Sequence, residues 1–494
     1  MAEPGHAATT HPHSGQRVVF RNTLRIFVTQ AAGMPLSMVV TAVMARHIGA
    51  QDFGLLYLVN TFSAFGFLAV DWGMSGAVPA MVAKEHSRGG EILGSTLVWR
   101  MASSMTVYLI LATACLALGY QREFQIVLAL AVLNSTINIT TGAHLDIFRG
   151  FEKTDIIGFS TLGGQVGRAF IVLPTLLLGG KLRAVLLAEA VCSGTVLAVV
   201  WRTVRANVGK VTFRFETVKS LLVQGTPFLF FGLAMALQPN VDGVFLSKLA
   251  SAEAVGWFAA ARRLIGVLVF PANALLVALY PTLCRLHSED LDGFRHTTTS
   301  ALRLTTVLVV PVALGCALFP DIGIRIFSRE SYGPAENDLR VLSLFLFLVY
   351  FTMPLGICVL AAGRQRAWAT IQFGCVLISA VLDPVLVPYF QNRTGNGGLG
   401  VCVTTAISET LMLIAGLSLI PRGILGRALG RQALLGLVAG AAMCGVARLL
   451  MGVTSFVVAP LSVAVYVGCL VATGGIDKEQ VQTLRSMLRR NVPG

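Results

Sequence analysis

Apolar residues fall in long runs along the chain, and short polar turns interrupt them almost without exception. Fourteen runs can be marked, at 24–45, 55–83, 93–119, 124–147, 156–179, 184–201, 222–247, 255–280, 301–327, 340–362, 367–390, 398–420, 432–450 and 455–473. A helix of about 17–25 residues spans the hydrocarbon of a bilayer. Backbone groups in hydrocarbon must find their partners within the segment, so these runs predict helices. The expected fold is an all-α polytopic membrane protein of about 14 transmembrane helices. Its polar first sixteen residues, with His6, His11 and His13, read as a disordered tail rather than a cleaved signal or a metal site.

The pattern also repeats. Arg46, Gly54 and Pro79 return as Lys248, Gly256 and Pro281, each 202 residues later. In MARHIGAQDFGLLYL (44–58) and LSKLASAEAVGWFAA (246–260), a basic residue closes one run, an acidic residue follows, and a glycine opens the next. The offset covers six runs, an even number, so the copies enter the membrane in the same sense and form a parallel repeat. The reading divides the chain into a tail (1–16), an N-terminal lobe of six helices (17–202), a basic cytoplasmic linker (203–220), a C-terminal lobe of six helices (221–421), two extra C-terminal helices (422–475) and a cytoplasmic tail (476–494).

Composition agrees, with 55% apolar and 13% charged residues and a mean hydropathy of +0.74. A net charge of +14 raises the question of nucleic acid, and the placement of the cations answers it. With the N-terminus inside, the cytoplasmic turns and tails, together with the run ends beside them, hold 24 of the 38 Lys and Arg residues and the opposite turns and run ends hold ten; Arg100, Arg168, Arg262 and Arg263 lie deeper within runs. That asymmetry fits cytoplasmic termini, and the basic clusters then meet anionic lipid headgroups. No nucleic-acid partner is expected. Eight of the nine cysteines lie inside runs without metal-ligand spacing and read as packing residues.

A charge at the centre of a membrane helix costs about 2.5–3.5 kcal/mol on insertion scales, so each is a candidate for function. Asp71 corresponds through the repeat to Asn273, and Asn60 to Arg262. Eleven residues separate the members within each copy, about three turns at 3.6 residues per turn, so each pair shares a helix face. Arg263, rotated by about 100°, does not share it. Gln238 and Asp242 stand one turn apart, as do Asn134 and Asn138, while Arg168 and Glu409 lie deep in their own runs. The set predicts a water-accessible cavity between the lobes carrying both signs of charge. The structural alternative is interhelical pairing, for example Asp71 with Arg168.

The chain has no G-x-x-x-x-G-K-[ST] loop, no H-E-x-x-H and no C-x-x-C, and its longest turn is about twenty residues. A transporter driven by a gradient or by the membrane potential is expected, rather than an ATP-driven pump or an enzyme with a soluble catalytic domain. No cofactor and no metal are expected.

The segment MARHIGAQDFGLLYLVNTFSAFGFLAVDWGMSGAVPAMVAKE (44–85) resembles the opening of Wzx-type polysaccharide flippases, members of the multidrug/oligosaccharidyl-lipid/polysaccharide exporter superfamily. DGVFLSKLASAEAVGWFAAARRLIG (242–266) resembles the start of that family's second lobe, and RIFSRESYGPAENDLRVLS (325–343) and GGLGVCVTTAISETLML (397–413) are of the same type. The resemblance implies a lipid-linked oligosaccharide, usually on undecaprenyl diphosphate, flipped from the cytoplasmic to the outer leaflet of a bacterial inner membrane by alternating access. Arg168 and Arg262 would then hold the diphosphate. Asn60, Asn134, Asn138, Gln238 and Asn273 would meet sugar hydroxyls, and Asp71, Asp242 and Glu409 are candidates for ion coupling. A polysaccharide polymerase and glycosyltransferases are the implied partners, beside membrane lipids. Two alternatives stay open: an ion-coupled exporter of cationic small molecules from the same superfamily, and an intramembrane polysaccharide polymerase or ligase.

Overall fold

The structure, a computed structural model, describes residues 12–475 except 152, 328, 421–423, 425 and 451; side chains are described for all of these but 12–32, 154, 231, 234–240, 274–278, 281, 329 and 330. Among the described residues sixteen α-helices follow one another: α1 (Pro12–Asp71), α2 (Met74–Lys84), α3 (Gly89–Ala117), α4 (Arg122–Gly150), α5 (Thr154–Leu177), α6 (Leu182–Val208), α7 (Phe215–Leu249), α8 (Ala252–Glu289), α9 (Leu291–Leu318), α10 (Pro320–Arg325), α11 (Arg329–Tyr332), α12 (Ala335–Ala361), α13 (Gln365–Thr394), α14 (Gly398–Leu419), α15 (Arg427–Leu449) and α16 (Ser455–Ala472). No strand occurs among the described residues.

Twelve helices among the described residues are long and apolar enough to cross a membrane. One of these stretches, 33–84, carries the first two apolar runs and is interrupted at Gly49, whose φ of 79° and ψ of 173° are not helical. The 35-residue α7 carries a further run. The protein is therefore an all-α, multi-pass membrane protein with a span count close to the fourteen runs. Two runs are more divided than the pattern suggests. The run 55–83 breaks at Trp72 and Gly73, and 301–327 ends its main helix at Leu318 before continuing as α10. The basic stretch 203–220 is also mostly helix, because α6 runs on to Val208 and α7 begins at Phe215. Helix α1 begins at Pro12, inside the stretch 1–16 read as a tail; residues 1–11 and 476–494 lie outside those described.

The chain forms two compact units, one of residues up to 47 with 63–233, the other of 48–62 with those from 234 onward. The chain passes from one unit to the other at 47/48, beside the break at Gly49, at 62/63 within the second half of α1, and at 233/234 in the middle of α7. In the first unit, Met74, Val78 and Val82 of α2 pack with Ile92 and Leu93 of α3, Ile147 and Phe148 of α4, Val200 and Val204 of α6 and Leu221 of α7. Gly73 and Gly225 bring α7 against the break after α1, since a Cβ on Gly225 would strike the Trp72 carbonyl.

In the second unit α12 is packed by α8, α9 and α14 and is among the most buried spans. Here the repeat becomes physical. After the break at Gly49 a helix resumes at Ala50, and α8 starts 202 residues later at Ala252, capped by the Ser251 hydroxyl accepting from the Ala254 amide at 3.3 Å. A Cβ on Gly54 would strike the Ala252 carbonyl oxygen, and one on Gly256 would strike the Ala50 carbonyl oxygen. Equivalent residues thus meet reciprocally, the pattern a two-fold axis produces, and only glycine lets the two backbones approach so closely.

Candidate functional site

Most of the charged residues singled out from the sequence fall in three clusters, each within one unit; a separate buried pair, Asp338 of α12 accepting from Asn396 at 2.9 Å, lies outside them. The first surrounds Arg100 of α3, fully buried in the first unit. Its Nη2 donates to Asp71 Oδ1 at 2.6 Å, Asp146 Oδ2 at 3.2 Å and Ser75 Oγ at 3.2 Å, and its Nη1 donates to the Ile139 carbonyl at 2.8 Å. Arg149 Nη1 reaches the other oxygen of Asp146 at 2.5 Å. The cluster explains how the helix break after Asp71 is held. Trp72 has φ 46°, the only positive φ at a non-glycine residue among those described, and Gly73 follows at 71°. Breaking the helix frees carbonyls, and Trp99 Nε1 donates to that of Val70 at 3.0 Å. Asp71 also accepts from the Ser75 hydroxyl at 2.7 Å, tying the two sides of the break together. Its partner is thus Arg100 rather than Arg168.

The second cluster, also in the first unit, lines a cavity of about 440 Å³ among α4, α5 and α6. Arg168 of α5 places Nε 2.7 Å and Nη2 2.5 Å from Glu189 Oε1 of α6. Asn134 of α4 donates to Glu189 Oε2 at 3.3 Å and accepts from Ser193 at 2.9 Å and from Asn138 at 3.2 Å. Three residues singled out from the sequence, Asn134, Asn138 and Arg168, therefore meet here, with Glu189 as an unforeseen member.

The third cluster lies in the second unit. Asp242 of α7 and Asp383 of α13 are buried with their carboxyl groups within hydrogen-bonding reach of each other. Thr405 of α14 donates to Asp242 Oδ2 at 3.5 Å, while Asp242 Oδ1 and both Asp383 oxygens accept no hydrogen bond of good geometry among the described residues. Arg262 of α8 is near enough to act electrostatically on both Asp242 and Glu409. Its guanidinium carbon lies 5.2 Å from the centroid of the Phe345 ring, and its Nη1 is buried without a hydrogen-bond partner among the described residues. Glu409 accepts from the Thr352 hydroxyl. Arg263, the next residue along α8, is exposed.

Asn60 and Asn273 are exposed and enter none of these clusters, and the side chain of Gln238 lies outside those described. Asp383, Glu189 and Asp146 carry the same signal that marked Asp71, a charge within an apolar run, and were legible by that rule. Their partners were not, because pairing depends on which helices touch.

A multi-pass helical bundle whose charges are held inside two compact units is the architecture of a membrane transporter. The model of the polysaccharide biosynthesis protein family (Polysacc_synt) matches residues 19–287, more than half the sequence, and the chain belongs to that family. The MatE model matches residues 227–385. The protein is 20% identical over 392 residues to the "Probable low-salt glycan biosynthesis flippase Agl15" of Haloferax volcanii, covering 78% of this chain and 80% of that one. It is 20% identical over 409 residues to the "Putative O-antigen transporter" of Escherichia coli K12, covering 79% and 94%. Among solved structures, that of the lipid II flippase MurJ in an inward closed conformation shares the fold, with a TM-score of 0.70, 12% identity and coverage of 90% of this chain and 97% of that one. These matches agree with the resemblance to Wzx-type flippases.

Proposed function

We propose that the protein flips a lipid-linked oligosaccharide from the cytoplasmic to the outer leaflet of the inner membrane, with both termini in the cytoplasm, for assembly of a surface polysaccharide. Membership of the polysaccharide biosynthesis protein family carries the reading, and the relatives with flippase and O-antigen transporter names support it. A diphosphate and its sugars cannot cross hydrocarbon unaided, whereas the polyprenyl chain can stay in the bilayer. Glycosyltransferases would supply the cargo and a polymerase would consume it.

The different surroundings of the two arginines support different roles for them. The charge of Arg168 is met by Glu189, whereas Arg262 keeps a buried donor without an acceptor among the described residues, so Arg262 is the group suited to a diphosphate oxygen. Asp242 and Glu409 lie near that arginine and Asp383 lies beside Asp242, so the two neighbouring aspartates are suited to share a proton or a monovalent cation. We assign coupling to Asp242 and Asp383. Asp71 is already bound to Arg100 and serves the helix break instead.

The test is complementation of a host that lacks its own O-antigen or exopolysaccharide flippase. Wild type is expected to restore surface glycan, and Arg262→Ala to insert normally yet restore less than a tenth of it while the lipid-linked intermediate accumulates. Failure of wild type across several glycan systems, together with acquired resistance to cationic drugs, would replace this reading with the exporter.

A further inference from the structure

We propose that the cavity among α4, α5 and α6 binds an uncharged, hydroxyl-bearing sugar of the cargo, separately from the group that takes the diphosphate; the proposal rests on the flippase reading above. Its volume of about 440 Å³ falls in the range of about 300–1,000 Å³ typical of small-molecule sites. The lining is amphoteric. Arg168 spends Nε and Nη2 on Glu189 Oε1 at 2.7 and 2.5 Å, so the fork that would take a diphosphate is already occupied. A cation would find that carboxylate already taken. A sugar hydroxyl both donates and accepts, and the cavity offers both functions. Gln165 Oε1 is a buried acceptor with no donor among the described residues. Asn138 spends one amide hydrogen on Asn134, which leaves its other amide hydrogen as a donor and its carbonyl oxygen as an acceptor at an exposed position on the cavity lining.

Of the α5 glycines, Gly167 packs closely, since a Cβ there would meet Cys192 Sγ of α6 at 3.3 Å, whereas Gly163 and Gly164 leave space. A Cβ on Gly163 would meet nothing within 4 Å, and one on Gly164 would meet only Val196 Cγ2 at 3.5 Å, an ordinary contact. In contrast to Gly54 and Gly256, these glycines leave space rather than allow backbones to touch. A polar void of this size holds water or a ligand, not vacuum.

Gly164 supplies the experiment, since it lines the cavity one turn before Arg168 and a Cβ there meets only Val196 Cγ2 at 3.5 Å, so alanine is accommodated and a longer side chain occupies the cavity. Replacing glycine within a helix also improves helix propensity, which guards the fold. The full chain in lipid nanodiscs is probed by saturation-transfer NMR with methyl glycosides of glucose, galactose, rhamnose and N-acetylglucosamine, and by phosphorus NMR with inorganic pyrophosphate. Transfer to at least one glycoside is expected in wild type, retained in Gly164→Ala and reduced at least tenfold in Gly164→Leu, with pyrophosphate binding unchanged by Gly164→Leu. No transfer to any glycoside in wild type, equal transfer in Gly164→Leu, or loss of pyrophosphate binding in Gly164→Leu would each overturn the proposal. The complementation assay separates the two readings: a wild type that restores surface glycan without binding a glycoside loses this site and keeps its function, whereas one that binds a glycoside but restores nothing does the reverse.

Discussion

Arg100→Ala is expected to be the most damaging single substitution in the first unit, at about 3–5 kcal/mol, because it strands the buried carboxylate of Asp146 and the half-buried one of Asp71. Asp146 is 1% exposed and would keep only Arg149, and Asp71 would lose its cationic partner. The effect should reach beyond the pair. Trp72 sits in a left-handed conformation that costs a non-glycine residue about 1–2 kcal/mol, and the Arg100 network over-determines it. Arg100→Lys keeps the charge but lacks the planar fork that reaches Asp71, Asp146 and the Ile139 carbonyl together, so an intermediate loss is expected. The measurement is retention of the monodisperse peak on size exclusion after heating. Arg183→Ala, which removes an exposed pair with Glu123, is the control and should leave the melting point unchanged within error. Equal melting points for Arg100→Ala and Arg183→Ala would refute the clamp.

Gly256→Val is expected to be the next most damaging, at about 1–3 kcal/mol of overpacking, because its side chain must enter the space held by the Ala50 carbonyl. Reciprocity makes the prediction sharper. Gly54→Val meets the equivalent obstacle at Ala252 and Gly256, so its cost should be similar. Once one valine has pushed the helices apart, the second finds room, and the double variant should cost clearly less than the sum of the two. Additive costs would show that the two glycines do not share one crossing.

The spans were readable because the bilayer imposes one rule on every one of them. The repeat was readable because the close approach of two backbones constrains Gly54 and Gly256, and no larger residue fits at either position. Where the copies have diverged, the repeat misled. Asp71 and Asn273 are equivalent in sequence, yet the first copy breaks at Trp72–Gly73 and binds Asp71 to Arg100, while α8 runs on through the equivalent residues and leaves Asn273 exposed. Intramembrane charge marked Asp71, Arg168, Asp242, Arg262 and Glu409 as worth following but could not assign their partners. Whether an arginine is free for a ligand depends on a neighbour such as Glu189, contributed by another helix at a distance that no local pattern encodes.

The central claim is transbilayer movement of a lipid-linked oligosaccharide, and the direct measurement is flipping of a fluorescently tagged undecaprenyl-diphosphate oligosaccharide in proteoliposomes, read by a quencher that cannot enter. The protein should raise the fraction of probe exchanged between leaflets well above that of protein-free vesicles, respond to an imposed proton or sodium gradient, and lose that response in Asp242→Asn. Exchange no faster than in empty vesicles, under every gradient and with the protein shown to be folded, would contradict the account.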